Sequence, residues 1–133
     1  MAAGEVEALR LLERFAAVVG LGAGYEPLPG CQAYPAYVAW LALNGSPADV
    51  ALALLANLDS WGRSCGRMRD ALRPVYGADA VAFFDYFARP PVGFEQRALT
   101  LVTAGAQASA RRAARLLQAY ELLYWDTLAD ALQ

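Results

Sequence analysis

Apolar residues recur every three to four positions along most of the chain, which is the spacing of one face of an α-helix. The first such stripe predicts a helix over Gly4–Val19, closed by a run of glycines. A Pro-rich loop over residues 25–32 follows, and a second helix is predicted from Tyr34 to Leu43. The sequence contains no alternation of period two between turn signals, so no strands are predicted.

The clearest helix start is Ser46-Pro47-Ala48-Asp49, which offers an N-cap serine, a proline at the first helical position and an acid at the third. The helix predicted from this start continues across Gly62 and Gly66 to Arg73, where Pro74 is expected to end it. The two glycines permit either close helix packing or a local kink.

Three further helices complete the pattern. They are predicted over Asp79–Ala88, Gly93–Ala104 and Ala108–Leu132, with Pro90-Pro91 between the first two. The whole pattern indicates an all-α bundle with short loops, forming a single domain over residues 1–133.

Glu121 is the residue that departs most from this pattern. Leu117, Glu121, Tyr124, Trp125 and Leu128 share one face of the last predicted helix, so a carboxylate lies on an apolar, aromatic stripe. Burying a carboxylate costs several kcal/mol unless it is hydrogen-bonded, paired or neutralised. Glu121 is therefore a structural carboxylate paired with an N–H group or with an arginine (the candidates are Arg97 and Arg115), a residue at the edge of the stripe, or part of a ligand pocket.

The composition of the chain limits the kinds of catalytic and metal site that it can form. The chain has no histidine, no lysine and no isoleucine, and its net charge of −2 gives no sign of a nucleic-acid partner. Without histidine it cannot build a Ser-His-Asp or Cys-His site, and the commonest transition-metal ligand is missing. Without lysine it cannot form a Schiff base. We expect no metal and no cofactor, and we expect Cys31 and Cys65 to be free thiols.

Several segments, taken in order, resemble one family. Glu121-Leu122-Leu123-Tyr124-Trp125 is similar to the C-terminal Glu-x-x-Phe-Trp signature of TenA-like proteins, the thiaminase II group. The segments Cys31–Tyr37 and Asn44–Pro47 and the aromatic helix over 79–88, with Phe94 after it, follow in the family's order. The resemblance covers essentially the whole chain, although each motif is short. It implies a haem-oxygenase-like helical bundle.

The resemblance also implies a pocket for a small heteroaromatic ligand of the aminopyrimidine or thiamine type. The family's C-terminal Glu, which contacts the pyrimidine and assists proton transfer, corresponds to Glu121, and a pocket tyrosine corresponds to Tyr34. The Tyr of the family's aromatic segment corresponds to Phe83, which lacks the hydroxyl. Further aromatic residues expected in the pocket are Trp61, Tyr86, Tyr124 and Trp125.

The sequence departs from the family in two ways. The family's nucleophile is a Cys in a Leu-Pro-Cys turn, whereas Leu58-Asp59-Ser60-Trp61 contains no Cys and Cys65 lies about one and a half turns later. Asp59 is either an N-cap at a helix break or an acid facing the pocket, where it is a second catalytic candidate beside Glu121. We also expect the sequence to begin after the family's N-terminal helices, one of which carries a pyrimidine-binding Asp, and so to form an N-terminally shortened bundle. A truncated sequence, a partner that supplies those helices and a reduced descendant are the alternatives.

Three functions remain open at this point. The chain is a ligand-binding or regulatory relative that has lost the chemistry, an active thiaminase II-like hydrolase in thiamine metabolism that works with carboxylates, or an oligomeric interaction module. We expect a small heteroaromatic partner and a homo-oligomer, without nucleic acid or membrane. No apolar run is long enough to span a bilayer and no charged leader precedes one, so a cytoplasmic protein is expected.

Overall fold

The computed structural model describes residues 2–22, 24–89, 92–102 and 107–133. Within these ranges the chain forms helices and no strands, which confirms the all-α prediction. The helices are α1 (Ala2–Val18), α2 (Pro29–Asn44), α3 (Pro47–Tyr76), α4 (Ala82–Phe87), α5 (Phe94–Leu101) and α6 (Gln107–Asp130). No helix in the described part of the chain is both long enough and apolar enough to cross a membrane.

The helices assemble into two compact units. The first unit contains Met1–Tyr25 and Asp59–Pro90, and the second contains Glu26–Leu58 and Pro91–Gln133. Helix α3 runs through both, because its first part belongs to the second unit and its last part to the first. The single domain expected from the sequence remains a prediction.

Two helix boundaries that were predicted from the positions of prolines are wrong. Helix α2 begins at Pro29 rather than at Tyr34, because a proline in the first turn removes an N–H that has no helical partner there. Pro35 then lies inside α2 and Pro74 inside α3, which continues to Tyr76. Gly77, with a φ of 84°, follows the end of α3, and its N–H donates to the Arg73 carbonyl at 2.9 Å.

The glycine pair of α3 packs closely against another helix. A Cβ on Gly62 would stand 3.2 Å from the carbonyl oxygen of Phe87, and one on Gly66 would stand 3.8 Å from the Cβ of Ala88. Helix α3 is continuous through both positions. Of the two readings open in the sequence, close packing is the one that the structure supports. The predicted linker Pro90-Pro91 and the predicted helix end at Ala104 lie outside the described residues.

The core of the first unit is aromatic. Cys65, Val81 and Phe84 are buried, and Phe15 packs edge-on against the Phe84 ring at 5.0 Å. Other partly buried side chains around this core are Trp61, Met68, Leu72, Phe83 and Phe87.

Helices α2 and α6 run antiparallel in the second unit. The Tyr34 ring lies 6.3 Å from that of Tyr124, and the Tyr37 ring lies 5.0 Å from that of Tyr120. The residue numbers of the contacting partners therefore decrease along α6 as they increase along α2. The α2–α6 pair packs with α3 around a core cluster of Leu41, Ala53, Ala113 and Leu117. This arrangement positions the face of α6 that carries Glu121.

Gly30 sets the closest approach between α2 and α6. A Cβ at this position would overlap the Thr127 hydroxyl and lie 3.0 Å from the Thr127 Cβ, and the hydroxyl already donates to the Leu123 carbonyl. We expect Gly30→Ala to lower the free energy of unfolding by about 1–3 kcal/mol, the usual cost of overpacking. Urea denaturation measures this effect. Gly22→Ala, where a Cβ meets nothing within 4 Å, is the control, and an equal loss in both variants would contradict the packing argument.

Helix α3 begins with a reciprocal cap. The Ser46 backbone N–H and hydroxyl both donate to Asp49 Oδ2 at 2.8 Å, and the Asp49 N–H donates to Ser46 Oγ at 3.2 Å. The backbone hydrogen bond from Ser46, followed by a side-chain hydrogen bond from Ser109, lowers the pKa of the Asp49 carboxyl below its ordinary value of 3.8. The predicted N-terminus of this helix is confirmed in its details.

The lowered pKa of Asp49 gives the chain a dependence of stability on pH. A carboxyl whose folded-state pKa lies below its unfolded value stabilises the fold above the unfolded value, and this contribution is lost as pH falls through the folded value. We therefore expect Asp49→Asn to be less stable than the parent at about pH 6, with the difference shrinking below the ordinary value of 3.8. Urea denaturation across that pH range measures the difference in the free energy of unfolding between the variant and the parent. A difference that stays constant with pH would contradict the role of the charge.

Candidate functional site

Glu121 lies on the buried face of α6. Only 5% of the residue is exposed, and Leu117, one turn earlier on the same face, is fully buried. The Trp125 indole N–H donates to Glu121 Oε1 at 3.3 Å. The helical periodicity therefore identified a carboxylate that is buried among apolar side chains.

The arginine partners suggested by the sequence lie elsewhere. Arg97 is exposed and its guanidinium donates to the Val92 carbonyl at 3.2 Å, while Arg115 lies on the exposed side of α6. The Trp125 indole N–H is a neutral donor to Glu121.

Asn57 is a second buried polar side chain in the same unit. It is 4% exposed, and its amide Nδ2 donates to the Tyr34 hydroxyl at 2.8 Å. The sequence prediction missed Asn57. A signal was available, because Asn57 lies one turn after Ala53, which is fully buried, and so continues the apolar stripe of α3.

A continuous series of contacts joins these groups, which we call the Glu121 cluster: Tyr34, Asn57, Glu121, Tyr124 and Trp125. Asn57 bonds to the Tyr34 hydroxyl, and the Tyr34 ring lies 6.3 Å from the Tyr124 ring. The Tyr124 ring packs edge-on against Trp125 at 5.1 Å, and Trp125 bonds to Glu121. Three of the predicted aromatic site residues are therefore connected to the predicted acid, Trp125 directly and Tyr124 and Tyr34 through it, within the second unit.

Asp59, the second catalytic candidate, lies in the first unit. Its side chain is 77% exposed and forms an ion pair with Arg63 at 2.7 Å, one turn along α3. Because α3 is continuous at this point, the interpretation of Asp59 as an N-cap at a helix break is wrong. The exposure and the ion pair are those of a solvated helix face.

The other three predicted site residues also lie in the first unit. Trp61 is half-buried and packs edge-on against Phe87 at 6.1 Å, and Phe83 packs against Phe87 at 5.1 Å. Tyr86 is 40% exposed, and its hydroxyl donates to the Gly4 carbonyl at 3.4 Å. For each of them the structure describes packing inside the first unit.

Both cysteines are free thiols, as predicted. Cys65 is fully buried in the core of the first unit. Cys31, at the start of α2, is half-buried and its thiol donates to the Tyr124 carbonyl, with the sulfur 3.9 Å from the oxygen. Among the described residues, no group of three or more acidic or Cys side chains is placed to hold a metal ion.

Comparison with known proteins identifies a family for this chain. The family model described as TENA/THI-4/PQQC matches residues 2–131, which is nearly the whole chain, and an all-α haem-oxygenase-like fold is consistent with it. Neither a comparison with curated proteins nor one with solved structures gave a significant match. On the extent of the family match, the chain belongs to the TENA/THI-4/PQQC family.

Proposed function

We propose that the Glu121 cluster binds a small heteroaromatic molecule of the aminopyrimidine or thiamine type, and that the protein acts in ligand binding or regulation. The observation that carries this proposal is the burial of two polar side chains, Glu121 and Asn57, which are 5% and 4% exposed on helices that are otherwise apolar inside. Buried polar groups reduce stability compared with a well-packed apolar core, so a recognition role gives a reason for their presence.

The hydrogen-bonding groups of the cluster complement an aminopyrimidine. A carboxylate such as Glu121 accepts hydrogen bonds from an exocyclic amine or a protonated ring nitrogen. The Asn57 amide and the Tyr34 hydroxyl, already joined at 2.8 Å, each carry both donor and acceptor capacity. Tyr124 and Trp125 supply aromatic surface for the ring of the ligand.

Binding is favoured over hydrolysis because no thiol is prepared for attack in the described residues. Cys65 is fully buried, and the Cys31 thiol is engaged as a donor to the Tyr124 carbonyl. The acid that could replace a thiol, Asp59, is exposed and paired with Arg63 in the other unit. Covalent catalysis needs a nucleophile activated by a neighbouring base or a lowered pKa. Glu121 is therefore proposed as a recognition group.

A melting-temperature panel tests the proposal. A ligand that binds only the folded state at about 100 times its Kd stabilises that state by about 2.7 kcal/mol, so 4-amino-2-methylpyrimidine and thiamine are expected to raise the melting temperature. 2-Methylpyrimidine, which lacks the amine, is expected to have a much smaller effect. Equal effects for all three compounds, or none, would contradict the proposal. Release of a free pyrimidine from thiamine would instead support the hydrolase.

A further inference from the structure

A groove of about 590 Å³ lies between α2 and α6 in the second unit, where the start of α3 also borders it. This volume falls in the range of about 300–1,000 Å³ that is typical of small-molecule sites. None of the residues that line the groove belongs to the Glu121 cluster. Its apolar lining comes from side chains that include Ala33, Ala36, Leu41, Ala113 and Leu116.

One end of the groove is aromatic. The rings of Tyr37 and Trp40, one turn apart on α2, lie 5.9 Å apart with their planes only 8° from parallel. Tyr120 of α6 completes this end, with its ring 5.0 Å from that of Tyr37. Trp40 is 50% exposed, so part of its indole is available to a ligand. Aromatic surface of this kind binds flat rings by stacking.

The other end of the groove is charged. Arg112 lines it and is exposed, and no ion pair to its guanidinium occurs among the residues that the structure covers. Asp49 lies at the same end, and its carboxylate is engaged by the Ser46 N–H and hydroxyl in the cap of α3. Besides the backbone hydrogen bond from Ser46, the charge of Arg112 helps to lower the pKa of the Asp49 carboxyl, but the two side chains form no salt bridge in the described residues. The planar set of guanidinium donors is therefore left for a ligand, and such a fork matches a carboxylate.

The spacing between the two ends fits a small ligand. Arg112 precedes Tyr120 by two turns of α6, about 12 Å along the helix axis, and Trp40 lies about 4.5 Å along α2 from Tyr37 in the direction of Arg112. A ring stacked at Trp40 is thus separated from the level of Arg112 by roughly 7–8 Å along the helix axes, a distance that a short acidic side chain and the long arginine side chain bridge together. Asp49, a fixed negative charge nearby, disfavours a ligand with two negative charges.

We propose that this groove is a second ligand site, which binds a planar aromatic compound bearing a single carboxylate. Its ring stacks on Trp40 and Tyr37, and its carboxylate is bound by Arg112. The site uses residues that the Glu121 cluster does not, so it does not depend on the proposed function of that cluster.

Isothermal titration with indole-3-acetate tests the groove, with the uncharged indole-3-acetamide as the matched ligand. The acid is expected to bind at least about tenfold more tightly than the amide, the size of effect that one charge-assisted hydrogen-bonded pair gives. Arg112→Gln is expected to abolish this difference. Arg111→Gln, at a neighbouring exposed position that does not line the groove, is expected to preserve it.

Several results would overturn the second site. Equal affinity for acid and amide, or equal effects of Arg112→Gln and Arg111→Gln, would remove the role of the guanidinium. A loss of acid binding in Glu121→Gln would show that the acid occupies the Glu121 cluster instead. If a second copy of the chain covers the groove, the acid does not bind and Trp40→Ala reduces the mass measured by sedimentation.

Discussion

Glu121→Gln is expected to weaken the binding of 4-amino-2-methylpyrimidine by at least about tenfold. Hydrogen bonds to a charged group are worth about 1.5–3 kcal/mol and those between neutral groups about 0.5–1.5 kcal/mol, and the difference corresponds to about that factor in Kd. The glutamine has nearly the same shape and its carbonyl can still accept from the Trp125 indole, which donates to Glu121 at 3.3 Å. Isothermal titration measures the change.

The stability of the unliganded variant separates a recognition group from a structural one. If Glu121 serves the ligand, removing its charge relieves the desolvation of a residue that is only 5% exposed, so the melting temperature stays level or rises. Arg115→Gln is the control, because it removes a charge from an exposed position of α6 that belongs neither to the Glu121 cluster nor to the groove. A Glu121→Gln variant that melts well below the parent and binds the pyrimidine with unchanged affinity would contradict the recognition role.

Leu117→Ala is expected to lower the free energy of unfolding by about 2–5 kcal/mol, the range for a buried leucine that leaves a cavity. Leu117 is fully buried and belongs to the core cluster with Leu41, Ala53 and Ala113. Such a loss is a large part of the roughly 5–15 kcal/mol typical of a domain.

Leu122→Ala is the matched control for this prediction. Leu122 is 61% exposed on the same helix, so its truncation is expected to change the stability by no more than about 0.5 kcal/mol. Urea denaturation of both variants measures the difference. Equal losses would show that the face of α6 carrying Leu117 and Glu121 is not the one that organises the second unit.

The sequence predicted the helical content well, because the spacing of apolar residues is a local property. Its errors came from residues whose effect depends on neighbours distant in sequence. Pro35 and Pro74 lie inside helices that the isolated sequence would break, since packing along the helices outweighs the cost of a lost hydrogen bond. The glycines of α3 were ambiguous until the position of Phe87 showed what they accommodate.

The candidate site was predicted in part for a similar reason. Glu121 was identified because one acid on an apolar stripe is visible in a single helix. Asn57 was missed because its significance comes from the Tyr34 hydroxyl on another helix, 23 positions away in sequence. Asp59 and Tyr86 are polar residues whose neighbours in the sequence are largely apolar or aromatic, yet both lie on the exposed surface of the first unit. Periodicity alone does not tell these cases apart.

A crystal structure of the protein with 4-amino-2-methylpyrimidine is the most direct test of Glu121 as a ligand anchor. We expect the exocyclic amine within about 2.7–3.2 Å of a Glu121 carboxylate oxygen, the normal distance of an N–H···O hydrogen bond. We also expect the pyrimidine ring to pack against Tyr124 or Trp125. A pyrimidine bound elsewhere, with Glu121 contacting only protein groups, would contradict the account.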